Sequence, residues 1–508
     1  MPKRTFTLFF FPVLFILLVG CNRARGPKEI TILHTNDTHG AFLPDRATWI
    51  KTTPPPQVGG FLALNSHIQT LRAANKNTLL LDAGDLMTGN MLCNIEFKGA
   101  KGGALVHFMN KMGYEGMTIG NHEFDLSQQN LKNLIKLAEF PVISANLFQT
   151  NGELFAPAAW HIYRKDDLRV GVIGVITEEL FSVLNADRRE GLEVKSSATT
   201  VEKIIDQIDS KTDLIIVLSH SGFKEDSVLA TKLSRRVDVI VGGHSHTRLK
   251  KPVKVNGILI VQAGAKATNL GELNLTVAGD TVQNYAGQLI DVWVEGITKD
   301  PELEQEIDFY RQQIDDQFGR VIGRLESNWV RDNHTASNIG NFLADCMREG
   351  ARTDFGCINS GGIRKNMEPG EITVRDIKEI LPFENYVCTF SVTGAELLKI
   401  MEKNAEKIAH ELGGILQVGG ISYRWKGSKN SPITILDAKI NGQPVDPTAR
   451  YTGATMDFVV ISNAQEYFGF VPAEVKQTPV LFSDMVIELV TAKKVIVSEI
   501  DGRIQPAE

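Results

Sequence analysis

Five of the chain's 11 histidines fall in short polar stretches that follow apolar runs or flank tight turns. His39 lies in HTNDTHG, His122 in GNHEFD, His220 in LSHSG, and His244 and His246 in GGHSH. Asp85, in LLLDAGD, occupies the same kind of place, and Asp37 stands two residues before His39. Carboxylate oxygens and neutral imidazole nitrogens together suit borderline divalent metals such as zinc, manganese or iron. The amide oxygen of Asn121 is a further neutral donor. Asp37, His39, Asp85, Asn121, His220, His244 and His246 exceed what one catalytic ion needs. Their number points to two ions about 3.5–4 Å apart, with Asp85 offering an oxygen to each. His122 plays a different part. Asp125 follows it by three residues, and such a carboxylate orients an imidazole and stabilises its protonated form. Asp125 also reads as a cap for a helix starting near Ser127.

Such donors need rigid elements to hold them. Strand-like apolar runs occupy residues 30–35, 78–83, 169–175, 213–219, 237–243 and 257–264. Helical periodicity fits residues 61–75, 126–140 and 200–210. This alternation predicts an α/β domain. In open α/β sheets, ligands gather beyond the C-terminal ends of the strands, where these histidines and aspartates fall. Residues 300–319 read as a polar helix with Asp300 as its cap and Pro301 in its first position, linking two units. In the second unit, residues 336–351 and 393–412 read as helices, and 421–425 and 432–442 as strands.

The 508 residues allow two or three domains, and 43% hydrophobic with 22% charged content fits a globular protein with large cores. A net charge of −6 without a long basic run gives no reason to expect a nucleic-acid polymer as partner. No obligate protein partner is inferred. The N-terminus carries Lys3 and Arg4, then an apolar run from about Phe6 to Val19, the pattern of an export signal. Its end, LVGC, resembles a bacterial lipoprotein signal, which implies cleavage before Cys21 and lipidation of that cysteine. The expected form is exported and lipid-anchored at the cell envelope, with the membrane as partner through the Cys21 lipid. Cys93, Cys346, Cys357 and Cys388 form no CxxC pair, and both disulfides and buried thiols stay open for them.

In their order, DTHG, GD, GNHEFD, SHSG and GGHSH resemble the five motifs of calcineurin-like metallophosphoesterases, and more narrowly the 5′-nucleotidase family. The resemblance spans about residues 29–265. It implies a four-layer α/β/β/α sandwich followed by a second, α+β substrate-binding domain. The expected division is a signal at 1–20, a tether at 21–28, the catalytic domain at 29–298, a linker helix at 299–319 and the second domain at 320–508. The resemblance assigns one ion to Asp37, His39 and His246, the other to Asn121, His220 and His244, with Asp85 between. The metals implied are zinc, manganese, iron, cobalt or magnesium. It makes His122 and Asp125 the catalytic dyad beside a metal-bound hydroxide that attacks phosphorus.

In the second unit, Asn359 and Arg364 match the family's N-x-G-x-I-R pattern, and Arg364 can fork onto a phosphate. Three departures stand out. Thr335 occupies a position where the family often has arginine, with Arg331 and His334 nearby. Ile415 replaces an aromatic residue before LQVGG. SNAQEYFGF, residues 462–470, replaces the usual GGDG-aromatic segment. Tyr467 and Phe468 are then candidates for stacking on a base, or core aromatics. The expected function is an extracytoplasmic hydrolase releasing phosphate from nucleoside 5′-monophosphates or related nucleotides. The same centre would also suit 2′,3′-cyclic nucleotides, nucleotide sugars or a thiosulfate-type ester. A lipid-anchored nucleotide-binding protein without turnover is the alternative of another class.

Overall fold

Ile30 and Ile32 point to one side of the strand Lys28–Thr35 and Leu33 to the other, and each is buried in a different core. That two-sided burial requires layers on both faces, and the computed structural model supplies them. It describes residues 26–234 and 236–507; the leader and Cys21 lie outside the described residues. The strands Lys28–Thr35, Thr78–Asp82, Gly116–Thr118 and Val142–Ile143 run parallel in one six-stranded sheet. A second six-stranded sheet holds Leu168–Ile176, Leu214–His220, Val239–Gly242 and Ile258–Gln262, also parallel. The two sheets meet through Ile30, Ile32, Leu79 and Leu81 on one side and Ile216, Leu218, Val239 and Val241 on the other.

Helices Phe61–Ala74 and Gly103–Met112 cover the outer face of the first sheet through Phe61, Leu64 and Phe108. Helices Ser197–Ile208 and Phe223–Lys232 cover that of the second through Val201, Ile205 and Leu229. The result is the four-layer α/β/β/α sandwich. Burying each branched side chain contributes about 1.5–3 kcal/mol, so the strands form a stiff base under the loops at their ends.

Asp300 does cap the helix Pro301–Phe318, accepting from the Glu302 and Leu303 amides. The helix is more than a solvated linker. Leu303, Ile307, Tyr310 and Ile314 recur at helical spacing and join the core of the first sandwich. A separate core underlies the second unit. There a five-stranded sheet, including Phe355–Asn359 and Tyr386–Thr393, packs against helices Asn338–Ala351, Gly394–Ala409 and Phe482–Lys493. Cys93, Cys346, Cys357 and Cys388 are buried free thiols. No helix among the described residues is long and apolar enough to cross a membrane.

Candidate functional site

Parallel strands bring their C-terminal ends to one edge, and the pairing of Thr35 with Asp82 and of Ser219 with Gly242 keeps those ends level. Asp37 and His39 follow the first strand of the first sheet, Asp85 its neighbour, and Asn121 the next. His220 ends a strand of the second sheet, and His244 and His246 follow the one beside it. The loops lie close. A Cβ on Gly243 would stand 2.7 Å from the Ala83 carbonyl and 2.9 Å from His220 Nδ1. Only glycine fits there. Asp37, His39, Asp85, His244 and His246 all adopt left-handed backbone, with φ between 49° and 74°. Five strained non-glycine residues in one cluster mark a site where geometry outweighs backbone comfort.

The side chains converge in two overlapping groups. Asp37, His39 and His246 form one, and His246 Nε2 lies 3.3 Å from Asp37 Oδ1 and 3.0 Å from His39 Nε2. Asp85, His220 and His244 form the other, and His220 Nε2 lies 3.1 Å from Asp85 Oδ2 and 3.2 Å from Asn121 Oδ1. Backbone carbonyls fix the rings from behind. His220 Nδ1 donates to the Ala83 carbonyl at 2.6 Å, and His39 Nδ1 to that of Met87 at 3.0 Å. Each leaves its Nε2 facing the cluster, the arrangement a metal-ligating imidazole needs.

Charge supports the same fit. Burial first, then the His246 and Arg364 charges, holds His39 well below its ordinary value. Burial and His220 push His244 down to about 4. Both are thus neutral and able to ligate. Burial opposes the charge on Asp85, but His220 and His122 overcome it and hold the carboxyl well below its usual range. His220 differs: burial would lower it, yet Asp85 and Asp37 raise it to about 10, so its Nε2 must give up a proton before it can ligate. Two buried carboxylates thus face a group of imidazoles around a space suited to cations. The donor set of oxygen and nitrogen fits a pair of divalent ions.

His122 Nδ1 lies 2.7 Å from Asp125 Oδ2, which also accepts from Thr88 Oγ1 at 2.6 Å. Burial works against the imidazolium, but Asp125 and Asp85 outweigh it and raise the His122 pKa. Sequence reasoning missed Glu123. Its buried carboxylate accepts from the amides of Gly120, Asp85, Leu86 and Met87 at 2.6–3.2 Å. It therefore holds the Asp85 loop against the Asn121 loop. A carboxylate inside the otherwise ligand-bearing GNHEFD was its only signal.

The second unit faces this centre with Arg364. Burial and the nearby Arg331 lower its guanidinium pKa, while Asp85, Asp125 and Asp37 oppose that shift. Asn359 is buried, and its Oδ1 has no hydrogen-bond partner. The stacking expectation for the aromatic pair is corrected. Phe468 is fully buried against Phe390 and Phe470, and Tyr467 is 6% exposed with Lys407 Nζ 4.1 Å from its ring centre. Both belong to the second core, where a five-residue helix, Ala464–Phe468, turns them inward. Ile415 is buried as well.

Residues 30–248 match the calcineurin-like phosphoesterase family, and residues 321–470 match the 5′-nucleotidase C-terminal domain. The chain belongs to the 5′-nucleotidase family of metallophosphoesterases. It is a phosphoester hydrolase by family, and the family uses a two-metal centre. It is 27% identical to the Escherichia coli protein UshA over 492 residues, covering 85% of each chain. It is 29% identical to the human 5′-nucleotidase over 474 residues, covering 84% of this chain and 81% of that one. Among solved structures, a Thermus thermophilus 5′-nucleotidase precursor aligns with a TM-score of 0.84 at 27% identity. That match covers 95% of this chain and all of the other.

Proposed function

We propose that this chain is an exported enzyme that releases phosphate from nucleoside 5′-monophosphates or related nucleotides. The observation that carries this reading is the meeting of seven donor side chains, the His122–Asp125 pair and Arg364 in one cleft. The relatives named 5′-nucleotidase support the substrate class. Asp37, His39 and His246 would hold one ion and Asn121, His220 and His244 the other, with Asp85 available to both. When bound, two divalent cations lower the pKa of water and offset charge on the phosphoryl oxygens. His122, kept protonated by Asp125, holds a phosphoryl or leaving oxygen and absorbs charge in the transition state. Arg364 grips the phosphate from the second domain. Asn359, in the same N-x-G-x-I-R segment as Arg364, is the second substrate contact in this reading.

A second reading keeps the centre and relaxes the leaving group. Phe468 is buried and Tyr467 is covered, so neither of the two rings expected to stack on a base is offered to one. Nucleotide sugars, 2′,3′-cyclic nucleotides and other esters then compete with nucleoside monophosphates. Phosphate release should be measured with manganese, zinc, cobalt or magnesium on AMP, UMP, ribose 5-phosphate, UDP-glucose and 2′,3′-cyclic AMP. Selective turnover of AMP and UMP supports the first reading, and equal rates on ribose 5-phosphate the second. Nucleotide binding without turnover under any metal would sink both and leave a binding protein. Lipidation of Cys21 is part of the same proposal. Cys21→Ser should move the protein from the membrane fraction to the soluble fraction, and unchanged fractionation refutes the anchor.

A further inference from the structure

Asp125 has to keep its carboxylate on His122 from the end of a single helical turn, His122–Phe124. Its amide donates to the His122 carbonyl at 3.2 Å. Its own carbonyl accepts from Arg188 Nε at 3.2 Å, across 63 residues of sequence. Arg188 stands in the short helix Ala186–Arg188, in the loop after helix Leu180–Val183. The contact is returned. Gln128, in the first turn of helix Gln128–Leu137, donates from Nε2 to the Arg188 carbonyl at 3.0 Å and to that of Glu190 at 2.8 Å. The other side of the same loop meets the second unit. Ser462 Oγ accepts from the Ala186 amide at 3.0 Å, and the Ser462 carbonyl accepts from Arg189 Nη2 at 3.1 Å. Ser462 ends a single π-helical turn, Phe458–Ser462, a rare form that is frequent at functional sites.

The half-buried Arg188 spends its polar contacts on protein, the Asp125 carbonyl and the neighbouring Asp187 carboxylate 2.9 Å from its Nη1. Whatever it does for the reaction therefore acts through Asp125. We propose that Arg188 is a positioning residue for the His122–Asp125 pair. It fixes the backbone of Asp125 so that the carboxylate aims His122 at the phosphoryl group, and Ser462 of the second unit braces the loop that carries it. The proposal rests on the phosphohydrolase reading. Asp125 Oδ2 serves two donors at once, His122 Nδ1 at 2.7 Å and Thr88 Oγ1 at 2.6 Å. A shift of the Asp125 backbone must stretch one of those bonds or turn the imidazole with it. A guanidinium is suited to prevent that shift, because hydrogen bonds from an ionised donor are the stronger kind. A misplacement of about 1 Å at a reacting group costs on the order of 100-fold in rate.

Kinetics of the full-length, metal-loaded protein test this. Arg188→Ala is expected to lower kcat on the order of 10-fold, with KM, metal content and thermal midpoint unchanged. Arg188→Lys, which returns a cationic donor on a long stem, is expected to recover most of that loss. Arg188→Met, which keeps the packing of the stem without a donor, is not. In an Asp125→Ala background the cost of Arg188→Ala is expected to shrink to less than about twofold, because the carboxylate it places is gone. Ser462→Ala removes the acceptor of the Ala186 amide, and is expected to cost a few-fold in the wild type and nothing further in Arg188→Ala. A wild-type kcat in Arg188→Ala overturns the proposal, and so does a loss that follows metal content. Recovery by Arg188→Met as complete as by Arg188→Lys would make the role one of packing and overturn it too. Should Arg188→Ala fail to fold, Arg188→Met runs the same cycle. A metal-loaded wild type that is inert on every ester refutes the phosphohydrolase reading and this proposal together. An active wild type in which Arg188→Ala costs as much with Asp125→Ala as without it refutes this one alone.

Discussion

Glu123→Ala should loosen the floor of the metal centre by an amount that can be worked from four contacts. The carboxylate is 3% exposed and accepts from Gly120 N at 2.6 Å, Leu86 N at 2.8 Å, Asp85 N at 3.1 Å and Met87 N at 3.2 Å. Alanine leaves those amides buried with no acceptor. At about 1 kcal/mol each, the loss is roughly 4 kcal/mol, or on the order of a thousandfold in the local closed-to-open ratio. Amide hydrogen exchange is the direct assay, because it reads local opening without requiring the whole chain to unfold. It is best run at pH 8, above the value of about 7 to which burial and Asp85 raise the Glu123 carboxyl. Exchange at Gly120 and Asp85–Met87 should accelerate by about three orders of magnitude, while amides in the second unit keep their rates. Affinity for divalent metal should fall too, since Asp85 sits in the loop released. Glu123→Gln, which keeps one acceptor oxygen, should fall between. If those four amides exchange less than about tenfold faster in the alanine variant, the carboxylate is not what holds the loops together.

Asp85→Ala should remove metal and phosphate release together; unchanged rates at full metal loading would contradict its place between the ions. His122→Ala should lower turnover on the order of 10²- to 10⁴-fold while metal content stays near normal, and parallel loss of both would make His122 a ligand or a structural residue. Asp82 is fully buried, accepting from Thr35 Oγ1 and Gly84 N, and burial raises its carboxyl from 3.8 to about 8. The folded chain therefore holds that proton more tightly than the unfolded chain. Its contribution to stability is whole below pH 3.8 and is lost as pH rises to about 8. Asp82→Asn should narrow the difference in urea midpoint between pH 5 and pH 8, and an unchanged difference would show that Asp82 does not titrate in this way.

The ligands were legible because each ends or follows a buried strand that sequence patterning reveals, and histidine, at 11 of 508 residues, is scarce enough for its placement to carry meaning. The strands of residues 237–243 and 213–219 were read nearly where they lie. The edge hairpin of Asn269–Val277 and Val282–Asp291 was not, because the outer strand is largely exposed and shows little alternation. Glu123 was hidden because its partners include amides more than 30 residues earlier, and amides leave no trace in residue type. Tyr467 and Phe468 show the opposite failure: an aromatic pair near a variable segment suggests a platform, and local helix geometry sends both rings into the core.

The left-handed backbone at Asp37, His39, Asp85, His244 and His246 has a consequence for how this protein can change over time. An L-residue in that conformation costs about 1–2 kcal/mol, and glycine would relieve most of it. A lineage released from hydrolysis would thus gain stability by mutating its ion-holding positions, and drift would erode the centre before the rest of the sandwich. This chain still has a side chain at all five.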